Sequence, residues 1–194
     1  ATACGGRCGA GKFGSETGMS SETKACGDCS EGRFGTATGQ TSEAKACGSA
    51  CGLGKFGTVT GQTSEAKACE SECSPGRFGT STGKTSDAKA CSDCSAGRFG
   101  TPTGQTSEAK ACGSACGLGK FGTVTGQTSE AKACESECSP GRFGTSTGKT
   151  SDAKACSDCS AGRFGTPTGQ TSETTGCPNE CSAGKWCAST GLTS

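Results

Sequence analysis

Residues 51–69 read Cys51-Gly-Leu-Gly-Lys-Phe-Gly-Thr-Val-Thr-Gly-Gln-Thr-Ser-Glu-Ala-Lys-Ala-Cys69, and close variants of this stretch recur along the whole 194-residue chain. The two bounding cysteines are 18 positions apart, and the same interval separates seven further pairs of cysteines. Successive pairs are joined by C-x-x-C or C-x-x-x-C links. A fixed period of about 20 residues is typical of tandem-repeat proteins, in which each unit packs on its neighbours. The sequence therefore predicts an array of one small unit.

The apolar composition is too poor for an ordinary hydrophobic core. The chain has eight Phe, three Leu and two Val, without Ile or Tyr, against 19 Cys and 35 Gly. A chain with so few large apolar side chains stays disordered unless cross-links hold it. Dense cysteines in such a chain indicate disulfides and an oxidising compartment. We therefore expect an extracellular protein, secreted or at the cell surface, that is held together by disulfides.

Charge and motifs exclude several classes of function. The net charge of +1 shows no bias toward nucleic acid or anionic membrane, and no apolar run of about 18 residues would span a bilayer. There is no His, no phosphate-binding loop and no separate pair of carboxylates, so we expect no enzyme and no cofactor. Pairs such as Cys26 and Cys29 have zinc-ligand spacing, but most links are C-x-x-x-C and His is absent, so we expect no metal.

Cysteine spacing alone does not determine the pairing. The simplest scheme closes each 18-residue interval, whereas pairing within the C-x-x-C links would bridge very short loops and leave the long segments unheld. In the chain-entropy model a loop of this size is worth roughly 3 kcal/mol. The simplest scheme joins Cys8 to Cys26, Cys29 to Cys47, Cys51 to Cys69, Cys73 to Cys91, Cys94 to Cys112, Cys116 to Cys134, Cys138 to Cys156 and Cys159 to Cys177.

Three cysteines fall outside this scheme. Cys4 matches the closing cysteine of a repeat whose opening cysteine would precede Ala1. Cys181 opens the last repeat, and Cys187 stands where every other repeat has the glycine that follows the aromatic residue. We predict that Cys187 pairs either locally with Cys181 or with a cysteine of another chain.

The cysteines divide the chain into repeats of 21 or 22 residues. Residues 38–108 are identical to residues 103–173, so three repeats form a larger block of 65 residues. Both ends fall inside a repeat, and we expect a segment of a longer array. The predicted divisions are the end of a preceding repeat at 1–7, then repeat 1 at 8–28, repeat 2 at 29–50, repeat 3 at 51–72, repeat 4 at 73–93, repeat 5 at 94–115, repeat 6 at 116–137, repeat 7 at 138–158, repeat 8 at 159–180 and a partial, atypical repeat 9 at 181–194.

Secondary structure is weakly indicated. Residues 56–60 favour a short strand, with Gly61 turning the chain. Residues 64–68 fit either one helical turn capped by Ser64 or a second strand, and the sequence does not decide between them. The predicted fold class is small disulfide-rich repeats, forming an elongated linear array with short β-strands and much irregular structure.

The motif C-x-x-G-[KR]-F-G…T-G-x-T-S…C-x-x-C resembles the ephrin-receptor-like cysteine-rich repeat of extracellular proteins from animals, algae and protists. It is also similar to the opening module of tumour-necrosis-factor-receptor cysteine-rich domains. The match covers nearly all of residues 4–194. The resemblance implies an extended, disulfide-laddered stalk with little regular secondary structure and without catalytic residues.

Each repeat carries one aromatic residue. We expect it to cover a disulfide and its neighbours as a miniature core, with a row that stacks on carbohydrate as the alternative. The aromatic residues are Phe13, Phe34, Phe56, Phe78, Phe99, Phe121, Phe143, Phe164 and Trp186.

Threonine recurs after the aromatic residue in a T-x-T-G-x-T-S stretch. These polar, glycine-broken segments are candidates for O-linked glycans. Rows of Thr-x-Thr also raise ice binding, but in a strand Phe56, Thr58 and Thr60 would share one face, which disfavours a flat outward ladder. The candidate glycosylation sites are Thr36, Thr38, Thr58, Thr60, Thr63, Thr80, Thr82, Thr101, Thr103, Thr123, Thr125, Thr145, Thr147, Thr166 and Thr168.

These features together favour a structural protein of an extracellular filament, flagellar hair or surface fibre. Its expected partners are further copies of itself, joined head to tail, or other surface and wall proteins, with covalent O-glycans. The main alternative is an extracellular binding stalk, either an adhesin or a receptor ectodomain, and a lesser alternative is an ice-binding protein.

Overall fold

A two-residue strand, a single helical turn and a second short strand recur along the computed structural model, which describes residues 6–194. Cys4, the presumed end of a preceding repeat, lies outside the described residues. The chain divides into two compact bodies, one formed by residues up to 92 with 103–107 and the other by 93–102 with 108–194. Both are tandem arrays of disulfide-bonded repeats with short antiparallel strands, so the predicted class of small disulfide-rich repeats is confirmed.

Sixteen strands and eight helices are present in the described residues. The strands are β1 (Lys12–Phe13), β2 (Gly27–Asp28), β3 (Arg33–Phe34), β4 (Ser49–Ala50), β5 (Lys55–Phe56), β6 (Ser71–Glu72), β7 (Arg77–Gly79), β8 (Cys91–Asp93), β9 (Arg98–Phe99), β10 (Ser114–Ala115), β11 (Lys120–Phe121), β12 (Ser136–Glu137), β13 (Arg142–Gly144), β14 (Cys156–Asp158), β15 (Arg163–Phe164) and β16 (Asn179–Glu180). The helices are α1 (Glu22–Ala25), α2 (Glu43–Ala46), α3 (Glu65–Ala68), α4 (Asp87–Ala90), α5 (Glu108–Ala111), α6 (Glu130–Ala133), α7 (Asp152–Ala155) and α8 (Glu173–Gly176).

Each repeat pairs its two strands as an antiparallel hairpin around the helix. In repeat 3, Lys55 lies opposite Glu72 and Phe56 lies opposite Ser71. The prediction of a strand through residues 56–60 is wrong beyond Phe56. The chain leaves the sheet there because the Gly57 N–H donates to the carbonyl of Lys84 in the next repeat, at 3.2 Å.

The helical interpretation of residues 64–68 is correct, and the strand interpretation is wrong. Ser64 is extended (φ −145°, ψ 155°) and precedes the helix, but its side chain makes no capping hydrogen bond. Its carbonyl instead accepts the N–H of Ala68 at 2.9 Å. A four-residue helix has no stability of its own. The disulfide at Cys69, directly after the helix, fixes this turn to the opening Cys51.

The two link lengths are accommodated at the closing cysteine. In repeat 4, with a C-x-x-C link, Cys91 is extended (φ −126°, ψ 145°) and begins β8. In repeat 3, with a C-x-x-x-C link, Cys69 has ψ 53° and one extra residue, Glu70, follows before β6. The aromatic residue lies opposite the position two before the next opening cysteine in both link types, as Phe56 and Phe143 show. The extra residue therefore behaves like a bulge and leaves the pairing register unchanged.

The glycine after the aromatic residue is required by packing. A Cβ added at Gly57 would overlap the carbonyl oxygen of Ala68 at the end of α3, and one at Gly122 would overlap that of Ala133. Both obstacles are backbone atoms, which cannot rotate away.

We predict that Gly122→Ala lowers the free energy of unfolding by about 1–3 kcal/mol, because the added methyl group overpacks this contact. The matched control is Gly113→Ala, where the nearest heavy atom to the new Cβ is the carbonyl oxygen of Ala109, at 3.8 Å. Chemical denaturation of both variants with intact disulfides measures the difference. Equal effects of the two substitutions would contradict the packing account.

Candidate functional site: the interface between repeats

Two groups of side chains within the described residues have the composition of a metal site, but their sulfurs are already bonded. One group is Cys73, Asp87 and Cys91, and its counterpart 65 residues later has the same composition. Cys73 and Cys91 form a disulfide, and Asp87 pairs with Arg77. Because a metal-binding cysteine is a thiolate, these sulfurs cannot serve as ligands in this state. Both groups are structural, and the extensive recurring site of this chain is the interface between repeats.

The buried apolar side chains of the described residues are cysteines and alanines only. Each cluster contains the two cysteines of one disulfide and the alanine before the closing cysteine, as in Cys73, Ala90 and Cys91. Every interior disulfide in this list is at most 6% exposed, so these bonds form the centre of the core. Disulfides replace the large apolar side chains that the composition lacks.

The aromatic residue packs against the disulfide of the following repeat. Phe56 contacts the cluster of Cys73, Ala90 and Cys91, whereas the cluster of its own repeat is contacted by Phe34. The expectation of a miniature core within one repeat is therefore wrong. The pattern also holds for Phe13 in the first body, and for Phe99 and Phe121 in the second. One repeat consequently cannot complete its core alone.

Two backbone hydrogen bonds join each of these repeats to the next. In the first body the Gly57 N–H donates to the carbonyl of Lys84, and the Gly83 N–H donates to the carbonyl of Cys51 at 2.8 Å. The second body repeats the pattern, with Gly148 donating to Cys116 at 2.8 Å. These bonds place the T-G turn of one repeat beside the aromatic strand of the repeat before it.

Contacts also reach the repeat after next. A Cβ at Gly54 would overlap the carbonyl oxygen of Gly104, two repeats further on in the first body. Gly54 also has φ +82°, a conformation that favours glycine. The Thr103 hydroxyl donates to Glu72 Oε2 at 3.2 Å across the same step, and Thr168 donates to Glu137 at 3.0 Å in the second body. Three successive repeats are therefore needed to make the full set of contacts.

Polar groups hold each repeat internally. The arginine before the aromatic residue donates to the carbonyl of its own closing cysteine, as Arg98 Nη2 does to Cys112 at 3.0 Å. The carboxylate that begins the helix accepts the N–H of the residue after the opening cysteine, as Glu108 Oε1 does from Ser95 at 2.8 Å. Hydrogen bonds from Ser95, first from its hydroxyl and then from its N–H, lower the pKa of the Glu108 carboxyl.

The structure pairs the cysteines of each 18-residue interval, with Cα–Cα distances of 5.4–5.8 Å. Cys187 pairs locally with Cys181, across a Cα–Cα distance of 6.2 Å. Of the two alternatives for Cys187, the structure therefore has the local bond.

The candidate glycosylation threonines lie in the loop between the aromatic strand and the helix. All of them are exposed except Thr63, which is half-buried. Thr103 and Thr168 use their hydroxyls in the contacts to Glu72 and Glu137 described above. The strand argument against a threonine ladder does not apply, since the strand ends at Phe56 before Thr58 begins.

Sequence reasoning missed that the aromatic residue packs across the interface. A signal was present, because a repeat with a single large apolar side chain cannot both fill its own core and bind its neighbour. In a tandem array the side chain most valuable for stability belongs at the shared boundary.

No protein-family model matches this chain, and a search of curated proteins finds no significant match. Within residues 6–194, none of the helices has the length and apolar character needed to cross a bilayer.

We predict that the array loses stability at acid pH through the carboxylates that begin the helices. The pKa values of Glu43, Glu108 and Glu173 are lowered in the folded chain, by hydrogen bonds from Ser30, Ser95 and Ser160 respectively. A lowered folded pKa gives a stabilisation that is present above the unfolded pKa of about 4.3 and is lost as the pH falls through the folded value. Glu108→Gln should therefore destabilise the disulfide-intact chain at pH 6 and have little effect at pH 3.

Denaturation at both pH values measures this difference. The control is Glu135→Gln, at an exposed glutamate for which the described part of the chain shows no hydrogen bond. An equal loss for Glu108→Gln at pH 6 and pH 3 would refute the role of its charge.

Proposed function

We propose that this chain is the structural part of an extracellular filament or surface fibre. The observation that carries the proposal is the packing of each aromatic residue named above on the disulfide of the next repeat. Such a contact uses different surfaces on its two sides, so it is heterologous. Heterologous contacts propagate as open filaments unless their rotation closes a ring. An array built from them provides length and covalent strength rather than a binding pocket.

The chemistry of the chain supports an extracellular location. Its folded core consists of disulfides and alanines, which is stable only where thiols remain oxidised. The repeat motif resembles the ephrin-receptor-like cysteine-rich repeat, and this identity belongs to the proposal. The near-identity of successive copies favours a fibre over a receptor, since residues 38–108 recur unchanged at 103–173. A ligand-binding ectodomain has no need of identical surfaces at a 65-residue period.

The exposed threonine loops are proposed as sites of O-linked glycans. They lie outside the hairpins and the helices, so a glycan on most of these hydroxyls would not disturb the packing between repeats. Thr103 and Thr168 are the weakest candidates, because both hydroxyls already donate to a carboxylate.

Electron microscopy of native material tests this function. We predict fibres with an axial period equal to one or more 65-residue blocks, because every block presents the same surfaces. Intact-mass spectrometry of the same material should give a mass above that of the peptide, through glycans on the threonine loops.

Single rods that carry a separate globular domain would overturn the fibre and support a binding stalk instead. A mass equal to that of the peptide alone would remove the glycans from the proposal.

A further inference from the structure

The aromatic residue of repeat 9 has no disulfide to pack against within residues 6–194. Trp186 is 84% exposed, while the phenylalanines at this position are half-buried. It is also the only tryptophan of the chain. Tryptophan is among the residues that most often anchor protein interfaces, and an indole this exposed has most of its apolar surface in water.

Repeat 1 presents the complementary surface. The Cys8–Cys26 disulfide and Ala25 are half-buried, while their counterparts in repeat 2 are at most 1% exposed. A cavity of about 620 Å³ opens beside this disulfide, lined in part by Cys8, Ala25, Cys26, Met19 and Gly14. The first three residues correspond to the cluster that receives a phenylalanine in the following repeats. A cavity of this size is large enough to hold an aromatic side chain.

Backbone groups at the two surfaces match as well. Between repeats 1 and 2, the Gly39 N–H donates to the carbonyl of Cys8 at 2.7 Å, and the Gly14 N–H donates to the carbonyl of Gln40 at 2.9 Å. The first bond joins the T-G turn to the opening cysteine of the repeat before it. The second joins the residue after the aromatic to the residue after the T-G turn.

The corresponding groups at the two ends have no such partner within the described residues. In repeat 1 they are the Gly18 N–H and the Met19 carbonyl, and in repeat 9 they are the Cys181 carbonyl and the Cys187 N–H. If a second copy followed in register, Gly18 would donate to Cys181 and Cys187 would donate to Met19. Each donor of one surface thus faces an acceptor of the other.

The space over the glycines that approach other repeats is also open at these surfaces. A Cβ at Gly162 or Gly184 would meet no heavy atom within 4 Å, whereas one at Gly119 or Gly141 would overlap backbone atoms two repeats further on. The space over Gly18 is open in the same way. These backbone surfaces are flat enough to receive the turns of another copy.

We infer that two copies of this chain dock head to tail, with Trp186 of one copy inserted beside the Cys8–Cys26 disulfide of the other. The contact continues the interface between repeats, with the same aromatic position, the same disulfide face and the same pair of backbone bonds. The inference rests on the proposed function, since it names the contact by which a fibre would grow. It assigns Trp186 and the cavity of repeat 1 as the two halves of that contact.

Tryptophan fluorescence and sedimentation velocity of the disulfide-intact chain test the contact together. As the concentration rises and the chain associates, the emission of Trp186 should shift to shorter wavelength and be quenched by the neighbouring disulfide. Trp186→Ala should weaken association at least about tenfold, as expected for a central aromatic anchor. Trp186→Phe should largely preserve it, because phenylalanine serves this position in the other repeats.

The cavity side is tested with Ala25→Glu and, in case that variant folds poorly, with Met19→Glu at an exposed position. Each should abolish association and leave the emission of Trp186 unshifted. The control is Leu118→Ala, which shortens an apolar side chain that is 41% exposed in repeat 6, away from both surfaces. It should associate like the unaltered chain.

Mixing two variants gives the sharpest result. Trp186→Ala retains the cavity and Met19→Glu retains the tryptophan, so each should stay monomeric alone and the mixture should form a one-to-one dimer without longer species. A mixture that stays monomeric would overturn the inference, as would association of Trp186→Ala equal to that of the unaltered chain. Fibres in native material together with either result would leave the proposed function standing, whereas native single rods would remove that function itself.

Discussion

The packing of an aromatic ring on the disulfide of the next repeat is the contact on which the rest of the structure depends. Phe13 on Cys29 and Cys47, and Phe121 on Cys138 and Cys156, show it in the two bodies. The disulfide closes a repeat, but the ring keeps water from the disulfide and ties two repeats together. Because the chain has one such ring in each repeat, stability is a property of neighbours rather than of single units.

This constraint explains the conserved geometry around variable links. The hairpin register is counted from the next opening cysteine, so the aromatic residue always points at the following disulfide. The extra residue of a C-x-x-x-C link is absorbed at the closing cysteine, where ψ changes from 145° at Cys91 to 53° at Cys69. Insertions are therefore placed where they do not disturb the shared core. The same logic fixes glycine after the aromatic residue, since the helix end of the same repeat occupies the space of a side chain.

Much of this fold could be predicted from the sequence, because disulfide spacing and poor apolar composition leave few alternatives. The helix at Glu65–Ala68 could not be separated from a strand, since Glu65, Lys67 and the two alanines satisfy either pattern. The strand through Thr60 was wrong because the partner of Gly57 lies in another repeat, which local pattern does not reveal. The role of Phe56 was misplaced for the same reason: spacing along the chain shows which residues belong to a repeat, but not which repeat they stabilise.

The most direct measurement of this account is the reduction rate of single disulfides in Phe13→Ala. Trypsin releases residues 25–33 as one peptide that holds Cys26 of repeat 1 and Cys29 of repeat 2, so timed alkylation reports both bonds at once. Loss of the ring should speed the appearance of a Cys29 thiol about tenfold, because ~1.4 kcal/mol less protection against local opening changes the rate by that factor. The rate at Cys26 should not change. Faster reduction at Cys26 with an unchanged rate at Cys29 would show that the ring protects its own repeat and would contradict the account.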